Sequence, residues 1–179
     1  MPINIQPVLE TEKVKLLPLK ESDFENLYLV AADPKVWEQH PNKDRWKKEV
    51  FQTFFEGALQ SQGAFKIIDK QTGNTIGSTR FYDHNEQDDS IFIGYTFYAT
   101  DYWGKGINPL VKKMMLDYIF QFVTKVYFHI GAQNTRSQIA IGRIGAIKTG
   151  EEIVPYFGEA PRSNFVYEIK KEIWYQRNS

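Results

Sequence analysis

The chain has 179 residues, 42% hydrophobic and 25% charged, which is enough for one sizeable core and far from disordered or low-complexity composition. Lysine plus arginine number 22 and aspartate plus glutamate 22, so no net field favours nucleic acid or an anionic membrane. With no cysteine, disulfides, thiolate metal sites and cysteine nucleophiles are excluded. Met1 to Glu12 carries prolines and charges instead of an apolar targeting run, so one cytoplasmic domain over residues 1–179 is expected.

Val14 to Leu19 alternates apolar and polar residues around Pro18, which predicts a short edge strand. Ser22 and Glu25 stand at capping-box spacing before Phe24, Leu27, Tyr28 and Ala31, a helix that Asp33-Pro34 stops. After a loop from Pro34 to Asn42, Trp46, Val50, Phe54 and Ala58 recur every four residues and predict an amphipathic helix over Lys43 to Gln60. Ala64 to Asp69 and Thr75 to Tyr82 read as a hairpin, and Ser90 to Tyr98 as a third strand beyond the acidic turn Asp83 to Asp89. Gly94 inside that strand signals either a bulge, a close backbone approach or plain packing.

Ile107, Leu110, Val111, Met114, Tyr118, Ile119 and Phe122 trace one helical face. A strand at Lys125 to Ile130, a helix at Asn134 to Ile144, and strands at Ala146 to Glu151 and Ser163 to Lys170 follow. The pattern predicts an α/β fold with an antiparallel first part and helical crossovers that make the centre parallel. His40, His84 and His129 share no metal-ligand spacing, so no metal is expected.

Tyr102-Trp103-Gly104-Lys105-Gly106-Ile107-Asn108 joins a strand to the clearest helix. A helix N-terminus presents unpaired N–H groups and partial positive charge, and glycines before it let the backbone wrap a phosphate. Lys105 adds a cation, and Pro109 suits a first helical turn. The same glycines also suit a plain strand-to-helix turn. A dinucleotide fingerprint fails because Pro109 stands where its third glycine belongs, and a P-loop fails because Ala99 stands where its first glycine belongs.

Ile93-Gly94-Tyr95, Tyr102 to Gly106, Asn134-Thr135-Arg136-Ser137 and Ile144-Gly145 resemble the successive motifs of the GNAT acetyltransferases, in particular the RimJ/RimL-type protein N-acetyltransferase branch. Leu9 to Glu12, Asp33 to Trp37, Val166-Tyr167 and Glu172-Ile173-Trp174 resemble further landmarks of that branch, so the likeness runs from about residue 9 to 174. It implies a mixed, mainly antiparallel splayed sheet flanked by helices, and an acetyl-CoA-dependent transfer to a primary amine of a peptide N-terminus or small molecule. By similarity, the amides of Gly104, Lys105, Gly106, Ile107 and Asn108 hold the pyrophosphate, Trp103 belongs to the same cofactor site, and Phe97 and Tyr98 offer backbone groups to the pantetheine arm. Asn134 binds near the thioester, with Ser137 near the sulfur as candidate acid. Trp37, Phe81 and Tyr82 are expected to line the acceptor pocket, with core packing as the competing role, and the Tyr156 to Pro161 loop to order over it.

The chain departs from the family pattern at Phe92 and Ile141, where many relatives carry a glutamate base and a tyrosine acid, and at Asp101, where Arg or Gln is usual. The alternatives are therefore a CoA-binding module with impaired turnover and a polyamine- or aminoglycoside-type acetyltransferase. Either a monomer or a homodimer is compatible with the sequence.

Overall fold

Proline and the short reach of the first strand decide how the sheet begins. The computed structural model describes residues 2–179. Strand β1 (Leu9–Glu10) pairs only with Lys15 and Leu16 of β2 (Val14–Pro18), so Pro18 lies beyond it and owes no hydrogen bond on that side. β2 is thus the second strand of the sheet and not its edge. The sheet continues through β3 (Ala64–Asp69), β4 (Thr75–Asn85), β5 (Ser90–Tyr98) and β6 (Lys125–Gly131). β8 (Arg162–Lys170) comes next, and β7 (Ile147–Val154) forms the far edge. Only β5 and β6 are parallel; every other neighbouring pair is antiparallel, so the expected parallel centre shrinks to one pair because β8 inserts between β6 and β7.

Helices α1 (Phe24–Ala31) and α2 (Lys48–Ser61) cover one face. The α2 stripe is Phe51, Phe54, Phe55 and Ala58, at helical spacing, whereas Trp46 lies outside the helix and 37% exposed. Asp23 takes the capping role assigned to Ser22 and Glu25: it accepts from the Lys20 N–H at 2.8 Å while pairing with Lys66 at 2.6 Å. Helix α3 (Ile107–Ile119) covers the other face with Val111, Met115, Leu116 and Ile119 against Leu16, Ile67, Phe81, Ile93, Val126 and Phe128. Helix α4 (Thr135–Arg143) crosses from β6 to β7, and α5 (Lys171–Asn178), which has almost no amphipathic signal in sequence, docks through buried Trp174. No helix among the described residues is long and apolar enough to cross a membrane.

The ladder shifts register at four places, one of them near the end of β4 between the pairs Tyr82–Phe92 and Asn85–Ser90, and the other three set which side chains face which layer. The first falls at Ile76 in β4, where Ile67 pairs with Gly77 and Ile68 with Thr75. Beyond it, Thr79 and Phe81 face α3, and Ser78, Arg80 and Tyr82 face the opposite side. The second lies in β5, between the pairs Ser78–Phe97 and Arg80–Gly94, and Tyr95 carries a φ of +53°. The third lies at Thr149 in β7, between the pairs Lys148–Tyr167 and Gly150–Val166.

Lys112 is an exception inside the α3 layer. It is 4% exposed, donates to Thr96 Oγ1 at 2.8 Å, and has its ammonium held down to about 7 by burial. The unfolded chain therefore binds more protons between pH 7 and about 10, and stability rises with pH across that window. Lys112→Met is expected to stabilise the protein at pH 6–7, on the order of 1–4 kcal/mol. Denaturant unfolding at pH 6.5 and 9 checks this; a gap between variant and wild type that does not narrow at pH 9 contradicts it.

Candidate active site

β5 and β6 pair at only three positions, Ser90–Lys125, Ile91–Val126 and Phe92–Tyr127, and then part. The gap is a groove with β5 on one wall and the start of α4 on the other. On the β5 wall the bulge removes one residue from the ladder, so Gly94 and Tyr95 both turn toward the α2 side. A Cβ at Gly94 would stand 3.1 Å from Tyr82 Oη, so the missing side chain makes room for that ring. The Ala99 N–H donates to the Ile76 carbonyl, and pleat alternation then turns the Tyr98 backbone groups away from β4. The Tyr98 carbonyl accepts from Trp103 Nε1–H at 3.1 Å, and its hydroxyl donates to Asn108 Oδ1 at 3.0 Å, which ties the start of α3 to the strand.

Gly104 and Gly106 have φ of +70° and +77°, a region that favours glycine, and an added Cβ at either meets nothing within 4 Å. The glycines serve the backbone turn and leave open space above it. Among the described residues, no protein acceptor takes the amides of Gly104, Lys105, Gly106, Ile107 or Asn108, and the first helical bond is Leu110 N–H to the Gly106 carbonyl. Five free donors at the start of a 13-residue helix fit a diphosphate. Asp101 is exposed in the preceding turn.

Across the groove, Asn134 caps α4 by accepting from the Ser137 N–H at 3.2 Å, and it is 4% exposed. The Arg136 N–H donates to Gln39 Oε1 at 3.1 Å, and the Arg136 guanidinium stacks on Trp103 at 3.8 Å. Burial lowers the Arg136 pKa. Two of the sequence segments that carry the resemblance, around Trp103 and around Asn134, are therefore in contact.

The α2 side of the groove opens into a cavity of about 440 Å³ bounded by β4, β5, β6, β7 and the β7–β8 connection. Tyr82, Tyr95, His129 and Glu152 meet there. The Tyr82 hydroxyl lies 2.9 Å from His129 Nδ1, and His129 Nε2 is bonded to Glu152 Oε1. A carboxylate only accepts, so Nε2 carries a proton, and in the neutral form of the ring Nδ1 accepts from the Tyr82 hydroxyl. Phe92 stacks on His129 with centroids 4.2 Å apart. Burial raises the Tyr82 pKa well above its ordinary value, and raises that of Tyr95 as well.

The acceptor-pocket residues expected from sequence separate here. Tyr82 lines the cavity, but Phe81 faces the α3 core and is fully buried, because neighbouring strand residues point to opposite faces. Trp37 is also a core residue, fully buried against Phe97 at 4.7 Å, with Nε1–H donating to the Ala31 carbonyl at 2.8 Å. Phe97 packs its ring in that same layer. Sequence reading missed His129, Glu152 and Arg80. The parity of β6 was the available signal for His129, since Val126, Phe128 and Ile130 take the core face.

A family model described as acetyltransferase (GNAT) domain matches residues 13–147. The chain belongs to the GNAT acetyltransferase family, whose members use acetyl-CoA. It is similar in fold to a GCN5-related N-acetyltransferase from Brucella melitensis, at 16% identity and TM-score 0.81, over 97% of this chain and 81% of that one. The spermidine N-acetyltransferase from Vibrio cholerae, in complex with CoA and spermine, matches at 16% identity and TM-score 0.69, over 92% and 99%. The ribosomal-protein-S5-alanine acetyltransferase from Vibrio fischeri matches at 17% identity and TM-score 0.68, over 94% and 99%.

The Tyr156 to Pro161 connection is pinned to the α2 side. Phe157 packs on Gly57, and Glu159 accepts from Arg45 Nε at 3.0 Å and Nη2 at 2.7 Å, and from Asn42 at 2.9 Å. Arg45 and Glu159 are both buried. Glu159→Ala leaves a buried guanidinium uncompensated and is expected to cost about 3–5 kcal/mol. Urea unfolding measures it, and a loss below about 1 kcal/mol would show that the pair is solvated in solution.

Proposed function

We propose that the chain is an N-acetyltransferase of the RimJ/RimL type, acting as one domain over residues 1–179, which moves an acetyl group from acetyl-CoA directly to a primary amine. The observation that carries this reading is the parting of β5 and β6 beside five unbonded amides at the start of α3. In it, the amides of Gly104 to Asn108 and the Lys105 ammonium bind the pyrophosphate. The Tyr98 backbone orients the pantetheine arm, and Trp103, stacked under Arg136, walls the groove. Acetyl-CoA supplies the activated acyl group.

The chain's own residues then manage protons. An amine enters through the cavity and gives its proton at Tyr82 Oη, while the Tyr82 proton passes to His129 Nδ1. The imidazolium so formed faces Glu152. This path supplies what Phe92 does not. On the far wall, Ser137 Oγ–H gives its proton to the departing sulfur and takes up the one that the acetylated nitrogen sheds, with Asn134 holding the first turn of α4 in place.

Two measurements test the reading. Calorimetric titration with acetyl-CoA is expected to give binding to wild type and a loss of 100-fold or more in a Gly104→Glu, Gly106→Glu variant, whose new side chains meet open space but place carboxylates in the cradle and strain its left-handed turn. Equal affinity in the folded variant contradicts the assignment. Tyr82→Phe is expected to lower kcat/KM about 10²–10³-fold at pH 7. The deficit should shrink as pH rises, because the amine then arrives already deprotonated. A pH-rate profile in which the deficit stays constant would remove Tyr82 from the proton path.

A further inference from the structure

The acceptor cavity is lined by a buried cation that has no salt-bridge partner; the exposed Asp83 carboxylate on the same wall acts on it only at a distance. Arg80 and Arg45 both lie against Phe54, their guanidinium carbons 5.5 and 4.8 Å from the ring centre. The buried carboxylate of that layer, Glu159, is engaged by Arg45 through both oxygens. Arg80 is only 6% exposed. It stacks on Tyr95 at 3.8 Å, and its hydrogen bond to the Gly57 carbonyl is 3.5 Å long. Its Nε–H has no partner at all. Burial holds its pKa down to about 10, so it stays charged at neutral pH. A buried, half-bonded guanidinium destabilises a fold, and its planar donor fork matches a carboxylate in two parallel bonds.

Its location says which molecule would bring that carboxylate. Arg80 and Tyr82 stand two residues apart on one face of β4, about 6.5 Å along the strand. Tyr82 is the entry to the proton path. A ligand giving its amine to Tyr82 therefore has its next few atoms beside Arg80, in a cavity of about 440 Å³, which lies within the range of small-molecule sites.

We propose that Arg80 anchors a carboxylate of the acceptor, so that the acetylated amine belongs to a molecule bearing a carboxylate a few atoms away: a free amino acid, or a peptide whose first residue is acidic. The proposal rests on the acetyl-transfer reading above. A polyamine would bring a second cation toward Arg80, and a peptide starting with alanine or serine offers it only a neutral carbonyl.

The test is calorimetry and thermal melting on the full chain, wild type, Arg80→Met and Arg80→Lys. The probes are free amino acids, each with its matched carboxamide, the amides of Asp-Ala and Ser-Ala, and spermidine; acetyl-CoA is titrated separately. At least one acid is expected to bind tenfold or more tightly than its carboxamide. That preference should disappear in Arg80→Met and weaken in Arg80→Lys, which keeps the charge but loses the fork. Arg80→Met should also melt about 2–4 °C higher, because a lone buried charge is gone, whereas a structural arginine would lower the melting point. Tightest binding by a free amino acid or by Asp-Ala amide identifies the source of the carboxylate. Carboxamides or spermidine binding as well as the acids, no acid binding, or a lower melting point in Arg80→Met overturns the proposal. Failure of acetyl-CoA to bind while the acid preference persists would instead overturn acetyl transfer and leave the Arg80 site standing.

Discussion

The bulge at Gly94 and Tyr95 is the constraint on which the candidate site depends. A regular β5 would send Tyr95 to the α3 side and keep its backbone in the ladder with β4. The extra residue turns Tyr95 toward Phe54, Tyr82 and Tyr156, and lets the strand bend away from β6 after Phe92. Groove, cavity wall and exposed backbone therefore share one cause. The left-handed conformation that Tyr95 adopts is uncommon for an aromatic residue, and the aromatic packing around it helps to hold it there.

The two faces of the sheet do different work. On the α3 face the packing is apolar and continuous, and it fixes the strands that part. On the other face it is aromatic and cationic: Arg45 and Arg80 are threaded between Phe54, Tyr95 and Tyr156. Such a layer binds through charge and ring faces instead of simple area. The β7–β8 connection closes this layer through Glu159, so a connecting segment far along the chain completes a core begun by α1 and α2.

Much of this was legible in the sequence for identifiable reasons. The α3 stripe, the hairpin of β3 and β4, and the glycine turn before Ile107 all follow local rules, and the structure realises each within a few residues. The same rules misplace α2 at its start, because Trp46 continues a four-residue repeat that the fold does not use. Phe81 and Tyr82 look equivalent in sequence, and only the bulge at Ile76 decides which of them reaches the cavity. The meeting of Tyr82, His129 and Glu152 joins β4, β6 and β7. No local pattern encodes contacts between three strands when β8 slips between two of them. Helix α5 was missed because a single tryptophan does the docking.

The bulge at Thr149 bears on how this edge of the molecule tolerates change. β7 is a border strand with one free side, and register at such a border is weakly enforced. If it paired straight through Thr149, every later residue would move by one, and Glu151 would stand opposite Asn164 where Glu152 stands now. The residue delivered to His129 would still be a glutamate. The doublet Glu151-Glu152 thus keeps a carboxylate available to His129 through a one-residue slip, a form of redundancy written into an edge strand.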